Sequence, residues 1–390
     1  MKVRWIIVVG FGLLVALAIT RLDRGAAQGP TVIINVDASA NRRSINPNIY
    51  GVAFASTSQL ADLNSPLNRS GGNATSQYNW QCNCDNRGSD WYFESLDSGS
   101  SVPGKLNDDF ISATKAGNSQ TMLTIPTIGW VAKLGPSRSK LASFSQAKYS
   151  YTAQANDWQW FADAGNGIRK SDGSKVTGND PNDANIPANS TFQQGWIQHL
   201  VGTWGNAANG GLRYYIMDNE PSLWHSTHRD VIKTGLRMSE LRDRFVDYAA
   251  KVRAVDPGAI IVGPEEWGWS GYLYSGYDQQ WGGQNGWSNL PDRAANGGMD
   301  YLPWFLDQMR RHEQQTGEHS HWRVHREIVE RRAGRSEKIR DERQRQRTGH
   351  IAQPQRQKLP NGHPFWRKPL ATREPQHGAH ADDFQHSNTG

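Results

Sequence analysis

An α/β fold built on a parallel sheet is the architecture this sequence predicts, and three observations predict it. Short β-branched or apolar runs alternate with longer segments of helical spacing from about residue 49 to residue 317. The connections that follow the strand-like runs are long and rich in Trp, Asn and Gly. Thirteen of the 16 Trp lie in residues 28–318, more than a core normally uses, and many adjoin Gly or Asn. Strands that alternate with helices imply crossover connections and therefore parallel pairing. In a β/α barrel the loops after the strands gather at the C-terminal face and carry the chemistry.

At the N-terminus, Lys2 and Arg4 precede an apolar run from Trp5 to Ile19, and the small residues Gly25, Ala26 and Ala27 follow. That order describes a secretory signal over residues 1–27, which implies export and no membrane attachment after cleavage. An uncleaved anchor is the alternative. Residues 28–47 form an N-terminal β segment whose strand is Thr31 to Val36. A second strand, Ile49 to Ala55, follows the turn signal Asn46-Pro47-Asn48. Asn107 to Ala116 has helical character, with Asn107 as its N-cap and two Asp in the first turn.

Gln120 to Ile128 is a compact apolar run, read as a buried strand. Thr191 to Asn206 is a helix and Leu212 to Met217 another buried strand. Ser239 to Val255 is an amphipathic helix with Leu241, Phe245, Tyr248, Ala249 and Val252 on one face. Ala259 to Gly263 is a strand and Tyr301 to Thr316 a helix. Residues 48–317 form one body on this reading. Cys82 and Cys84 are one residue apart, which makes a mutual disulfide strained and a metal site incomplete. They read as unpaired loop thiols.

Charge divides the chain more sharply than composition does. The whole carries 43 Lys+Arg against 37 Asp+Glu, a net of +6. Residues 319–390 hold 15 basic and 8 acidic residues, whereas residues 28–318 hold 24 and 28. The body is therefore mildly acidic, which argues against a nucleic-acid partner for it. A hydrophobic fraction of 36% and a mean hydropathy of −0.72 exclude a polytopic membrane protein. From 318 to 390 the text turns His-, Arg- and Gln-rich, and no strand-like run follows the helix at 301–316. Two readings fit this segment: a disordered basic tail, or a shift of reading frame near Gly317 that leaves the preceding fold unfinished.

The strongest chemical signal is Tyr214-Tyr215-Ile216-Met217-Asp218-Asn219-Glu220-Pro221-Ser222-Leu223-Trp224. A buried strand delivers a glutamate at its C-terminal end, with aromatic residues just beyond. Partial desolvation at such a position raises a carboxyl pKa and suits it to donate a proton to a leaving oxygen. A second constellation runs from Asn68 through Gly71-Gly72-Asn73 to Tyr78 and Trp80. It lacks the Lys-Ser/Thr of a phosphate loop, and its amides and rings suit sugar hydroxyls and ring faces. The third, Gly263-Pro264-Glu265-Glu266-Trp267-Gly268-Trp269, again places carboxylates and Trp at a strand end.

These motifs in this order, with Asp90-Trp91-Tyr92-Phe93-Glu94, resemble glycoside hydrolase family 44, a family of endoglucanases and xyloglucanases. The resemblance covers about residues 31–317. It implies a (β/α)8 barrel, of which this chain would hold about the first five β/α units. It also implies a β-sandwich that takes in the N-terminal strand, and a retaining mechanism on β-1,4-glucan backbones. The acid/base of the family falls on Glu220. The substrate-binding set is Asn73, Tyr78, Trp80, Trp130, Asn219, Trp224, Glu266, Trp267 and Trp269. Ser70 and Gln77 depart from the residues the family pattern expects. The nucleophile of the family lies on a late strand, and no residue of this chain is assigned that role.

The expectation is a secreted, monomeric, impaired endo-β-1,4-glucanase that acts on β-glucan without a cofactor or metal; no motif supports a structural calcium. A non-catalytic glycan-binding protein with a Trp-lined cleft is the alternative, and a polyanion-binding tail is a weaker third.

Overall fold

The computed structural model describes residues 35–40, 42–149 and 161–317. The signal at 1–27, most of the strand expected at Thr31 to Val36, and the segment 318–390 lie outside the described residues. Asn35 and Val36, which are described, carry no strand.

Five parallel strands make the central sheet, and their order in space is their order in the chain. They are β1 (Gly51–Ala53), β2 (Leu67–Ser70), β3 (Gln120–Ile125), β4 (Tyr214–Met217) and β5 (Ile260–Val262). Helix α1 (Thr57–Leu63) joins β1 to β2, α2 (Lys105–Ala116) precedes β3, α3 (Ser190–Trp204) precedes β4 and α4 (Met238–Val255) precedes β5. Beyond β5 come α5 (Gly276–Asn285) and α6 (Tyr301–Thr316). In register, Leu67 lies opposite Gln120, Met122 opposite Tyr214, and Tyr214 opposite Ile260.

The pleat sorts side chains to two faces. Tyr215, Met217, Leu123, Ile125 and Ile261 point toward the helices, where they pack on Trp196, Ile197 and Leu200 of α3, Leu241, Phe245 and Val252 of α4, and Phe305 of α6. Tyr214, Ile216, Val262 and Leu67 form a separate cluster on the opposite face. Each such side chain contributes about 1.5–3 kcal/mol when fully buried, so the helix-facing layer dominates the stability of the body. In α4 the buried positions Met238, Leu241, Phe245, Tyr248, Ala249 and Val252 follow the spacing the sequence predicts. Asp108 ties α2 to α3, accepting from Trp204 Nε1 at 2.8 Å and meeting His199 Nε2 at 2.7 Å.

Apart from the three residues between β1 and α1, the connections after the strands are long, as residues 71–104, 126–189, 218–237 and 263–300 show. Within the first, Cys84–Asn86 and Glu94–Asp97 pair as an antiparallel hairpin that Leu141–Ala142 extends. Two expectations need correction. Cys82 and Cys84 are joined as a disulfide: Asn83 adopts a left-handed φ of 50°, and the turn leaves the two Cα atoms 5.5 Å apart, inside the range a disulfide spans. Asn107 is not an N-cap, because the helix starts two residues earlier, at Lys105, with Gly104 as its cap; Asn107 is buried and accepts from Ser70 Oγ at 3.4 Å. No helix among the described residues is long and apolar enough to cross a membrane.

Candidate active site

At the C-terminal ends of β2, β4 and β5 the chain leaves a polar cleft of about 410 Å³, lined by Arg69, Gly72, Asn73, Asp90, Asn219, Glu220, Glu265 and Glu266. A second cavity, of about 320 Å³, opens at the opposite ends of β3 and β4 between Lys115, Thr121 and Arg213. It presents no carboxyl group. Of the two, the first is the one that gathers carboxyl groups.

Glu220 is placed by an unusual turn. Asp218 and Glu220 both take left-handed φ, 65° and 47°, a conformation that costs a residue other than glycine about 1–3 kcal/mol. The Asp218 side chain supplies the compensation. It is fully buried, and its oxygens accept from the backbone N–H groups of Thr127, Ile128 and Asn219 and from Ser76 Oγ. Burial raises this carboxyl to about 6 in spite of those donors. Beyond the turn, Trp224 donates from Nε1 to the Asn219 carbonyl at 3.1 Å. The Glu220 N–H donates to the Glu265 carbonyl at 2.7 Å, which links the ends of β4 and β5.

Arg69 is the hub of the cleft. Its Nε donates to Glu265 Oε2 at 3.0 Å, its Nη2 reaches the same oxygen, and Nη2 also donates to Asn219 Oδ1 at 2.7 Å. Asn219 Oδ1 takes a second bond from the Gly72 N–H at 3.0 Å. Gly71 makes this possible, since a Cβ there would stand 2.2 Å from the guanidinium carbon. Glu220 is left facing the cleft. Burial raises its pKa above the ordinary 4.5; Arg69 pulls it down, and Asp90 and Glu265 push it up. Glu265 is likewise raised by burial, against the pull of Arg69. Glu266 is raised furthest, to about 8. Its Oε2 accepts from Ser222 Oγ at 2.6 Å, while Oε1 is enclosed without a hydrogen-bond partner.

The residues expected at the site divide into three groups. Asn73, Asn219, Glu220 and Glu266 line the cleft. Trp267 and Trp269 follow Glu266 on the surface, 55% and 67% exposed. The remaining aromatic residues lie elsewhere. Tyr78 is buried against Trp196, with ring centroids 5.2 Å apart. Trp224 is buried with Ile128, Val231 and Ile232, where Trp130 packs partly covered against the same cluster. Trp80 lies between Phe192 and His199 and donates to the Phe192 carbonyl at 3.3 Å. None of these four rings lines the cleft. Arg69, Asp90 and Asp218 were given no role from sequence, although all three sit inside motifs read from it. Among the described residues no group of three His, Cys, Asp or Glu side chains gathers to hold a metal.

A parallel β/α sheet whose strand ends converge carboxyl groups in an open cleft is the class of site that barrel glycosidases build. Comparison with known proteins agrees. The profile of glycoside hydrolase family 44 matches residues 84–320. Two curated relatives are each 27% identical: a β-mannanase/endoglucanase A of Caldicellulosiruptor saccharolyticus, over 72% of this chain and 19% of its own, and an endoglucanase A of Paenibacillus lautus, over 75% and 39%. The crystal structure of CelM2, a bifunctional glucanase-xylanase from a metagenome library, superposes with a TM-score of 0.69 at 64% identity, covering 71% of this chain and 53% of that one. The chain thus spans about half the length of that solved relative and less of the curated ones. The chain belongs to glycoside hydrolase family 44.

Proposed function

We propose that the chain is an endo-β-1,4-glucanase-type glycosidase with Glu220 as its acid/base. The observation that carries this reading is the position of Glu220: at a strand end, in an open cleft, with its carboxyl pKa raised by burial and its turn held on both sides. In a retaining mechanism the protonated Glu220 gives its proton to the glycosidic oxygen as a carboxylate opposite attacks the sugar; Glu220 then removes a proton from water. Asn219 and Arg69 orient the cleft, and the exposed faces of Trp267 and Trp269 suit the apolar face of a glucan ring. The activities that the relatives are named for, on glucan, xylan and mannan, support a plant-type polysaccharide as partner.

On this reading the five strands are five of the eight of a (β/α)8 barrel. Of the other carboxyls at these strand ends, Glu265 is engaged by Arg69, Glu266 by Ser222, and Asp218 by the backbone N–H groups of Thr127, Ile128 and Asn219. No residue is given the role of nucleophile, and turnover by this chain is slow. Export by the signal at 1–27 and a monomeric state belong to the same proposal.

Hydrolysis of carboxymethylcellulose and xyloglucan by the purified chain tests it. Slow turnover that disappears in Glu220→Gln is expected, and turnover that survives the substitution refutes the acid assignment. A non-catalytic glycan binder is the second reading, favoured by the exposure of Trp267 and Trp269. Retention by insoluble glucan without release of sugar would select it.

A further inference from the structure

Sequence reading placed Glu266 among the substrate contacts, but its carboxyl turns away from that task. Oε2 accepts from both Ser222 Oγ at 2.6 Å and Ser222 N–H at 3.3 Å. Ser222 is the second residue after Glu220, on the opposite side of Glu220 from Asn219. Gly271 leaves room for this bond: a Cβ there would stand 3.1 Å from Glu266 Oε2 and 3.2 Å from Ser222 Oγ. The neighbouring Glu265 holds the other flank, through Arg69 to Asn219, and its carbonyl takes the Glu220 N–H. Two adjacent residues at the end of β5 therefore brace the acid turn before, at and after Glu220.

We propose that Glu266 is a positioning residue that fixes the Glu220 turn through Ser222, and is not a contact for substrate. The inference rests on Glu220 being the acid. Burial, with a smaller contribution from the Glu220 charge, raises Glu266 to about 8, so it keeps its proton at neutral pH and sets no second charge beside Glu220. The groups that face the pair are Tyr301 from α6, Arg69 from β2, Asp90 from the turn at 88–91, Glu265 beside it, and His225 next to Ser222. Tyr301 is buried with its hydroxyl beside Glu266.

The test follows the carboxyl carbon of Glu220 by 13C NMR in the full chain labelled with δ-13C glutamate, with the resonance assigned by its loss in Glu220→Gln. This readout needs no turnover, so it stands apart from the proposed activity. Glu266→Gln keeps an acceptor oxygen and is always neutral; it is expected to move the Glu220 midpoint by less than about half a pH unit. Ser222→Ala removes the shorter of the two bonds of the brace with little change of volume and is expected to move or broaden the Glu220 resonance. A fall of about one pH unit or more in Glu266→Gln would mean that Glu266 is an anion beside Glu220, and would overturn the proposal. An unchanged Glu220 signal in Ser222→Ala would overturn it as well. So would weaker migration retardation in a xyloglucan gel for Glu266→Gln with the Glu220 titration intact, because that is the behaviour of a substrate contact.

Discussion

Two turns leave the sheet side by side, one after β4 and one after β5, and each carries two carboxyl groups. After β4, Asp218 is swallowed by the core and Glu220 is left open to the cleft. After β5, Glu265 faces the cleft tied to Arg69, and Glu266 is turned inward onto Ser222. In both turns the inward carboxyl holds the backbone and the outward one meets the cleft. The difference is in what binds the outward group. Glu265 has a guanidinium on one oxygen, whereas Glu220 has no such clamp and is free to exchange a proton. Similar strand-end chemistry thus serves different ends according to its partners.

Substitution at the buried supports gives the largest expected change in stability. Trp224→Ala empties a fully buried indole site and is expected to cost about 3–5 kcal/mol in denaturant unfolding. Asp218→Ala leaves the buried N–H groups of Thr127 and Ile128 without an acceptor; about 1–3 kcal/mol for each such group puts its cost in the same range. By contrast, Glu265→Ala removes an ion pair whose side chains are 27% and 29% exposed, and is expected to cost about 1 kcal/mol or less. Equal losses for Asp218→Ala and Glu265→Ala would break the distinction between inward and outward carboxyls.

A smaller effect is expected from pH. Burial raises Glu94 to about 7, Asp218 to about 6 and Glu266 to about 8. A carboxyl that keeps its proton longer when folded lends its full stability below the unfolded pKa, and loses it as pH rises through the folded one. His225 and His228, lowered to about 4 and about 3 by burial, act oppositely and cost stability only below their ordinary 6.5. Tm is therefore expected to fall between pH 6.5 and 8, and Glu266→Gln to flatten that fall above pH 7. A Tm that rises over this window would contradict the burial of Glu266. Smallest of all is Trp269→Ala, within about 0.5 kcal/mol of wild type because the ring is exposed; weaker retention in a xyloglucan gel would mark it as a glucan contact.

Legibility from sequence followed the physics of each element. Helices α4 and α6 were visible because their buried faces repeat at helical spacing. Strand β2 was not, because Leu67-Asn68-Arg69-Ser70 is mostly polar. Asn68 is fully buried yet satisfied, exchanging bonds with the N–H and carbonyl of Ala55 and donating to Thr114 Oγ1. Glu220 was readable from a local pattern, a buried strand that ends in Asn-Glu-Pro. Arg69 was not, since its partners Asn219 and Glu265 are 150 and 196 residues away in the chain. Tyr78 and Trp224 stood next to the right motifs, but an aromatic ring beside a polar turn serves equally to stack on a sugar or to seal the core under it. Burial decides between the two, and burial is not a local property.

The central claim is that Glu220 is the acid of a glucan-cleaving cleft. The most direct measurement is the rate of carboxymethylcellulose cleavage by the wild-type chain and by Glu220→Gln, side by side from pH 5 to pH 8. Slow cleavage that declines as pH rises through the raised pKa of Glu220, and that drops about 10²–10⁴-fold in the variant, is the predicted result. Cleavage at the same rate in both proteins would contradict it.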